Sequence, residues 1–174
     1  DLASITLGTT RATGEAVGAY VTTATATGAV LANYTVSYIA GEFTITPKAA
    51  TVTAGNGTKE YGSSDPALTA VTTTGFSAGD LAGLTLAQSR ATGETVGSYP
   101  TTATATGANL GNYTVTYFPG TFTITPKAAV VTAGSGTKVY GDSDPTLGTT
   151  STGFTAGDLA SITLGTTRAT GEAV

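Results

Sequence analysis

Short runs in which hydrophobic and polar positions alternate fill this chain, and Gly, Pro, Asn or Asp interrupts them about every 8 to 12 residues. Across the interval 48–126 the alternation predicts strands at 51–54, 58–61, 68–74, 84–89, 98–106, 113–118 and 121–125. The predicted breaks are Gly55-Asn56-Gly57, 63–66, Ala78-Gly79-Asp80, Gly93, Gly107 and Pro119-Gly120. Tyr113, Val115 and Tyr117 share one side of their strand, and Phe122 and Ile124 share one side of the next. With Pro119-Gly120 between them, these two strands are expected to form a hairpin.

Along 101–106 the Thr-Ala alternation points Ala103 and Ala105 inward, which leaves the core thin. Val52, Tyr61, Leu68, Phe76, Leu81, Leu84, Leu86, Val96 and Tyr99 are the candidates to close it. Burying one Val, Leu or Phe contributes roughly 1.5–3 kcal/mol, so a unit with this short list needs support from its neighbours. Asp80-Leu81-Ala82-Gly83 reads as one helical turn capped by Asp80, or as an Asx-turn.

The same pattern returns. FTITPKAA starts at Phe43 and again at Phe122, and TKEYGSSDP from Thr58 returns as TKVYGDSDP from Thr137, both at an offset of 79. The offset falls to 78 at Phe154, the counterpart of Phe76, so the connection before it has lost one residue and is a tolerant surface loop. Asp1–Val17 is identical to Asp158–Val174 at all 17 positions, whereas the segment from Asp80 matches at 11. The sequence therefore reads as a window on an alternating array with a super-repeat of 157 residues (158 − 1). Residues 1–47 are the C-terminal part of one repeat, 48–126 a complete repeat, and 127–174 the N-terminal part of the next. Each partial repeat is expected to expose core and strand edges unless a neighbour completes it, so these ends are expected to be ragged or to be continued by another copy in a fibre. Only Pro126-Lys127 separates the last strand of one repeat from the first of the next, which leaves no slack for a flexible linker.

Seven short strands in a 79-residue repeat predict an all-β fold of tandem immunoglobulin-like sandwiches. A β-grasp unit with the Asp80 turn as its helix is the alternative. Composition agrees: 41 Thr and 28 Ala fill more than a third of the chain, and Met is absent.

Charge narrows the partners. The net charge is −4, and the seven cations Arg11, Lys48, Lys59, Arg90, Lys127, Lys138 and Arg168 are scattered singly, so nucleic acid is not an expected partner. No run approaches the ~18 apolar residues of a membrane helix, so membrane insertion is not expected either. Cys and His are missing, which removes the disulfide framework, the thiolate and the commonest general base.

The succession TK-x-YG-x-x-DP-x-L, GD-L, R-A-x-GE-x-VG-x-Y, NYTV-x-Y and FTITP is carried by Lys59, Tyr61, Gly62, Asp65, Pro66, Leu68, Asp80, Arg90, Gly93, Glu94, Val96, Tyr99, Asn112, Tyr113 and the strand from Phe122 to Pro126. It resembles the MBG-type repeat, YGX variety, of large bacterial surface adhesins and haemagglutinin-like exoproteins. The resemblance implies a secreted or cell-surface tandem module and brings no ligand-binding residue with it.

Several side chains have a chemical reading to set beside a structural one. Asp65, Asp142 and Asp144 could offer oxygens to Ca²⁺, but the first copy has Ser63 where the second has Asp142, and an Asp before Pro makes a turn. Arg90 with Glu94, repeated as Arg11 with Glu15 and Arg168 with Glu172, reads as an ion pair that positions the intervening turn. Lys48 or Lys59 with Asn112 and a carboxylate would be the material of an isopeptide crosslink, although solvated lysines and a turn asparagine are the ordinary reading. Paired carboxylates for glycoside cleavage lack an aromatic platform, and outward Thr in 101–106 could carry O-glycans.

No catalytic, cofactor-binding or metal-binding residue is nominated, and an enzyme is not expected, since each polar residue of interest recurs in every copy or sits in a turn. The leading expectation is a structural repeat of an extracellular or cell-surface stalk, adhesin or filament, its partners being neighbouring repeats or other copies in a fibre. The alternative is a module that binds host or matrix glycans or mucins through avidity.

Overall fold

The computed structural model describes residues 2–171. Strands make up 41% of it and helices 11%, so the all-β class holds. The chain divides into two compact units, one built from the residues up to Gly55 with Ala70–Ser89 and Thr101–Gly120, the other from Asn56–Thr69, Arg90–Pro100 and the residues from Thr121 on.

In the first unit β1 (Thr6–Arg11), β2 (Gly18–Thr27) and β3 (Gly41–Ile45) form an antiparallel meander in that order. A second sheet centres on β4 (Lys48–Thr53), which pairs antiparallel with β6 (Thr72–Thr74) and parallel with β9 (Tyr113–Phe118). Alternation along β4 sends Ala50 and Val52 inward, and Val52 packs with Ala54, Ala103 and Ala105. Phe76, Leu86 and Val115 close over that cluster, which supplies the volume the alanines lack. The short helix α1 (Ala78–Ala82) lies between β6 and β7 (Thr85–Arg90).

In the second unit β5 (Gly57–Glu60) runs parallel to β10 (Gly120–Thr125), with Phe122 opposite Gly57 and Ile124 opposite Lys59. The missing side chain at Gly57 is what admits the Phe122 ring, because a Cβ there would sit 2.6 Å from it. β11 (Val130–Ala133) and β12 (Thr149–Thr152) pair antiparallel, followed by helix α2 (Ala156–Leu159). β7 and β8 (Gly97–Thr106), both cut by the unit boundary, complete the sheet β5-β10-β8-β7.

Four expectations are corrected. β9 and β10 do not form a hairpin: they belong to different sheets, because each finds a parallel partner from the start of the repeat, β4 and β5. The all-β class stands, and the two parallel ladders do not bear out the immunoglobulin-like sandwich specifically. The strand expected at 68–74 shrinks to Thr72–Thr74, since Thr69 is drawn into a loop by its N–H to Asn56 O (2.8 Å) and its hydroxyl, which accepts from Asn56 N (2.7 Å). The cap of α1 is Ser77, whose Oγ accepts from Asp80 N at 3.2 Å, and Asp80 stands in the first turn. Leu81 and Val96, nominated for the core, are exposed.

Closely similar sequences take different structures in successive repeats. Residues 34–39 are the counterpart of β9 and 136–139 the counterpart of β5, yet neither forms a strand. Each lacks the parallel neighbour that its counterpart has in the complete repeat, so its backbone groups have no ladder to join. The side chains follow. Phe122 is fully buried whereas Phe43 is 46% exposed, and Val52 is fully buried whereas Val131 is 49% exposed.

Candidate functional site

β5 places Lys59 on the same face as Gly57, so alternation turns its side chain inward, where it is only 4% exposed. Its Nζ meets Asp65 Oδ1 at 2.7 Å and also Glu94. From β7, Arg90 grips Asp65 with two prongs, Nε to Oδ2 at 2.5 Å and Nη2 to Oδ1 at 3.1 Å, and pairs with Glu94 as well. Arg90 Nη1 donates to the carbonyls of Gly93 (2.7 Å) and Ala91 (2.9 Å), which fastens the turn. Gly93 holds φ +144°, and a Cβ there would overlap the Tyr99 ring. The guanidinium lies 4.8 Å from the centroid of Phe122 and 5.6 Å from that of Tyr99. Two cations thus face two carboxylates over an aromatic floor.

Electrostatics favour the ionised forms. Arg90 and then Lys59 hold the Asp65 carboxyl down at about 2, and Lys59 with Arg90 lowers Glu94. Asp65, followed by Glu94, raises both Arg90 and Lys59. Isopeptide formation requires a neutral amine and a protonated acid, the opposite of this arrangement. Lys59 is therefore neither a solvated lysine nor a primed nucleophile. Lys48 is exposed on β4, and Asn112 points elsewhere.

The incomplete repeats carry the same cluster in parts. Arg11 pairs with Glu15 and lies 5.4 Å from Tyr20 and 5.1 Å from Phe43. Lys138 meets Asp144 at 2.7 Å, and Arg168 grips the same carboxylate, which is held at about 2 by Arg168 and then Lys138. Glu172, the expected partner of Arg168, lies outside the described residues. Of the carboxylates considered for Ca²⁺, Asp65 and Asp144 are engaged by these side-chain cations, and Asp142 offers its backbone carbonyl to Lys138 Nζ at 3.0 Å.

A second cluster surrounds Asp80. Its carboxylate accepts from Tyr113 Oη (2.5 Å), Asn109 Nδ2 (2.6 Å) and Ser77 Oγ (2.7 Å), and Tyr113 leads these in lowering its pKa. The Tyr113 ring stacks tilted on Phe76 at 4.8 Å.

Repeats touch at two junctions. Where the first repeat meets the complete one, Asn112 Oδ1 accepts from Val17 N at 2.9 Å. Where the complete repeat meets the next, Tyr61 Oη donates to Asp158 Oδ1 at 3.1 Å and Lys127 Nζ meets Glu60 at 3.1 Å. Asp158 leads in raising the Tyr61 pKa. At the first junction just Thr46 and Pro47 separate β3 from β4. Val96 is the counterpart of Val17, so its exposure belongs to a junction position and not to the core. Sequence reading missed the burial of Lys59 and the joining role of Asn112. The alternation of Lys59 with Gly57 signalled the first, and nothing local signalled the second.

Fold and junctions together define an all-β protein of tandem repeats. The MBG domain (YGX type) family matches residues 50–123 and 129–174, and the chain belongs to that family. No curated protein and no solved structure matches it.

Proposed function

We propose that this chain is a structural repeat of an extracellular or cell-surface stalk, adhesin or filament, whose task is to set distance and carry load from one repeat to the next. The observation that supports this most is the pair of junctions: two residues between β3 and β4 and four between β10 and β11, with side chains of one repeat bonded to groups of the next on either side of the complete repeat. The polar clusters fit the same reading, because their members are saturated by one another and hold turns in place. Arrays lengthened by whole repeats test it by small-angle scattering. Maximum dimension should grow by a constant increment per repeat, and growth as the square root of repeat number, as for a flexible tether, would contradict it.

A second reading, glycan or mucin binding through avidity, has one feature in its favour. An open groove beside β5 and β10 is lined by Asn56, Thr58, Thr69, Thr121 and Thr123, all suited to sugar hydroxyls. Saturable binding of a multi-repeat array on immobilised glycans would support it, and the stalk reading expects none.

A further inference from the structure

The two parallel ladders share one register. In the first unit β4 pairs with β9 from Lys48 opposite Tyr113 to Thr53 opposite Phe118. In the second, β5 pairs with β10 from Gly57 opposite Phe122 to Glu60 opposite Thr125. Partners stand 65 positions apart in both ladders (113 − 48 and 122 − 57), so the opening strands of the complete repeat pair with its closing strands without a slip. Backbone bonds carry each ladder past its strand ends: Ala54 N–H donates to Phe118 O and Tyr61 N–H to Thr125 O, both at 2.9 Å. Asn56 Oδ1 accepts from Thr121 N at 2.7 Å.

Chain order turns this register into mechanics. Tension along an array enters the repeat at the Lys48 end of β4 and leaves it at the Thr125 end of β10. In a parallel pair the loaded ends lie at opposite ends of the ladder. The first strand is then drawn one way along its axis and its partner the other, and the bonds between them are strained together. Were the first and last strands antiparallel, their loaded ends would lie side by side, and the same tension would open the bonds one after another. The inward residues Ala50 and Val52 on β4, and Phe122 and Ile124 on β10, are buried, which keeps water on that side from replacing a strained ladder bond. Lys59, inward on β5, is held at its tip by Asp65 and Glu94, so β5 is also tied to the loop that follows it and to the turn after β7.

We propose that β4 with β9 and β5 with β10 form a shear clamp, which makes the complete repeat resist stretching along the array more strongly than a pull that peels either ladder from one end. Six residue pairs in one ladder and four in the other share the strain. This deepens the stalk reading and rests on it for its purpose, since a module that passes tension from repeat to repeat needs its end strands joined in this sense.

Force spectroscopy on the full chain tests the clamp, with attachment points chosen by substitution, because the chain has no cysteine of its own. Thr46→Cys with Ala128→Cys pulls across the complete repeat and loads both ladders in shear. Thr46→Cys with Gly111→Cys pulls at the starts of β4 and β9 and peels that ladder, and Ser63→Cys with Ala128→Cys peels β5 from β10 at their far ends. All four sites are exposed, and a side chain at Gly111 meets open space. At one loading rate, where rupture reports the unfolding barrier, the shear pair should need a severalfold higher force than either peeling pair. A peeling pair as strong as the shear pair overturns the clamp. That result would leave the growth of scattering dimension with repeat number, and hence the stalk reading, untouched. Growth as the square root would sink the stalk reading and leave the difference between pulling directions standing.

Discussion

Asn112 accepts a hydrogen bond at 2.9 Å from the backbone N–H of Val17, 95 positions earlier and one repeat away. An asparagine ending a 3₁₀ turn thus joins two repeats across a part-buried contact. Asn112→Ala removes the acceptor and should cost about 1 kcal/mol in urea unfolding. Asn109→Ala, which breaks a bond within one repeat, should leave the exchange rate of the Val17 amide unchanged, whereas Asn112→Ala should raise it.

Phe122 and Phe43 hold the same place in successive repeats and have different surroundings. Phe122→Ala empties a filled site and should cost about 3–5 kcal/mol. Phe43→Ala, at a half-exposed position, should cost under about 1 kcal/mol. Chemical denaturation of the two variants measures the difference, and equal losses would show that burial does not follow repeat completeness.

Thr101 sits on the inner face of β8, fully buried, and donates to Gly55 O at 2.6 Å. Thr101→Val keeps the shape and orphans that carbonyl, an expected loss of about 1–3 kcal/mol. Thr102→Val, on the exposed face of the same strand, should change stability by about 0.5 kcal/mol or less. Thermal unfolding of both variants distinguishes the faces.

Acid should dismantle the charge clusters. The folded chain holds Asp65 and Asp144 at about 2, below the ordinary 3.8, so their contribution is complete above the ordinary value and disappears as pH falls through the folded one. Melting temperature should therefore be level from neutral pH down to about 5 and drop between about 4 and 2. Lys59 is raised above 10.5 by Asp65 and Glu94, so its contribution is complete below that value and is lost as pH rises beyond it. Arg90→Lys removes the two-pronged grip and should flatten the acid limb, which a pH series of melting curves would detect.

Much of this was legible in the sequence, and the gaps have physical causes. The alternation located β8, β9 and β10 to within a residue, because it is a local property. The sheet order was not legible. Pro119-Gly120 looks like a hairpin turn, but the partners of β9 and β10 lie about sixty residues back, and parallel ladders carry no local turn signature. The Arg90–Glu94 pair was visible as neighbours in sequence, whereas Asp65 and Lys59 join it only through folding. Leu81 and Val96 were drawn into the predicted core because the sequence pattern does not distinguish an exposed hydrophobic residue from one that faces inward.

The central claim is that the strands paired in parallel between the two halves of a repeat, β5 and β9, form only where the other half-repeat is present, and residue-resolved amide hydrogen exchange tests it most directly. Gly57–Glu60 and Tyr113–Phe118 should be strongly protected, while their counterparts 136–139 and 34–39 exchange near the unprotected rate. Equal protection in counterpart segments would contradict the account.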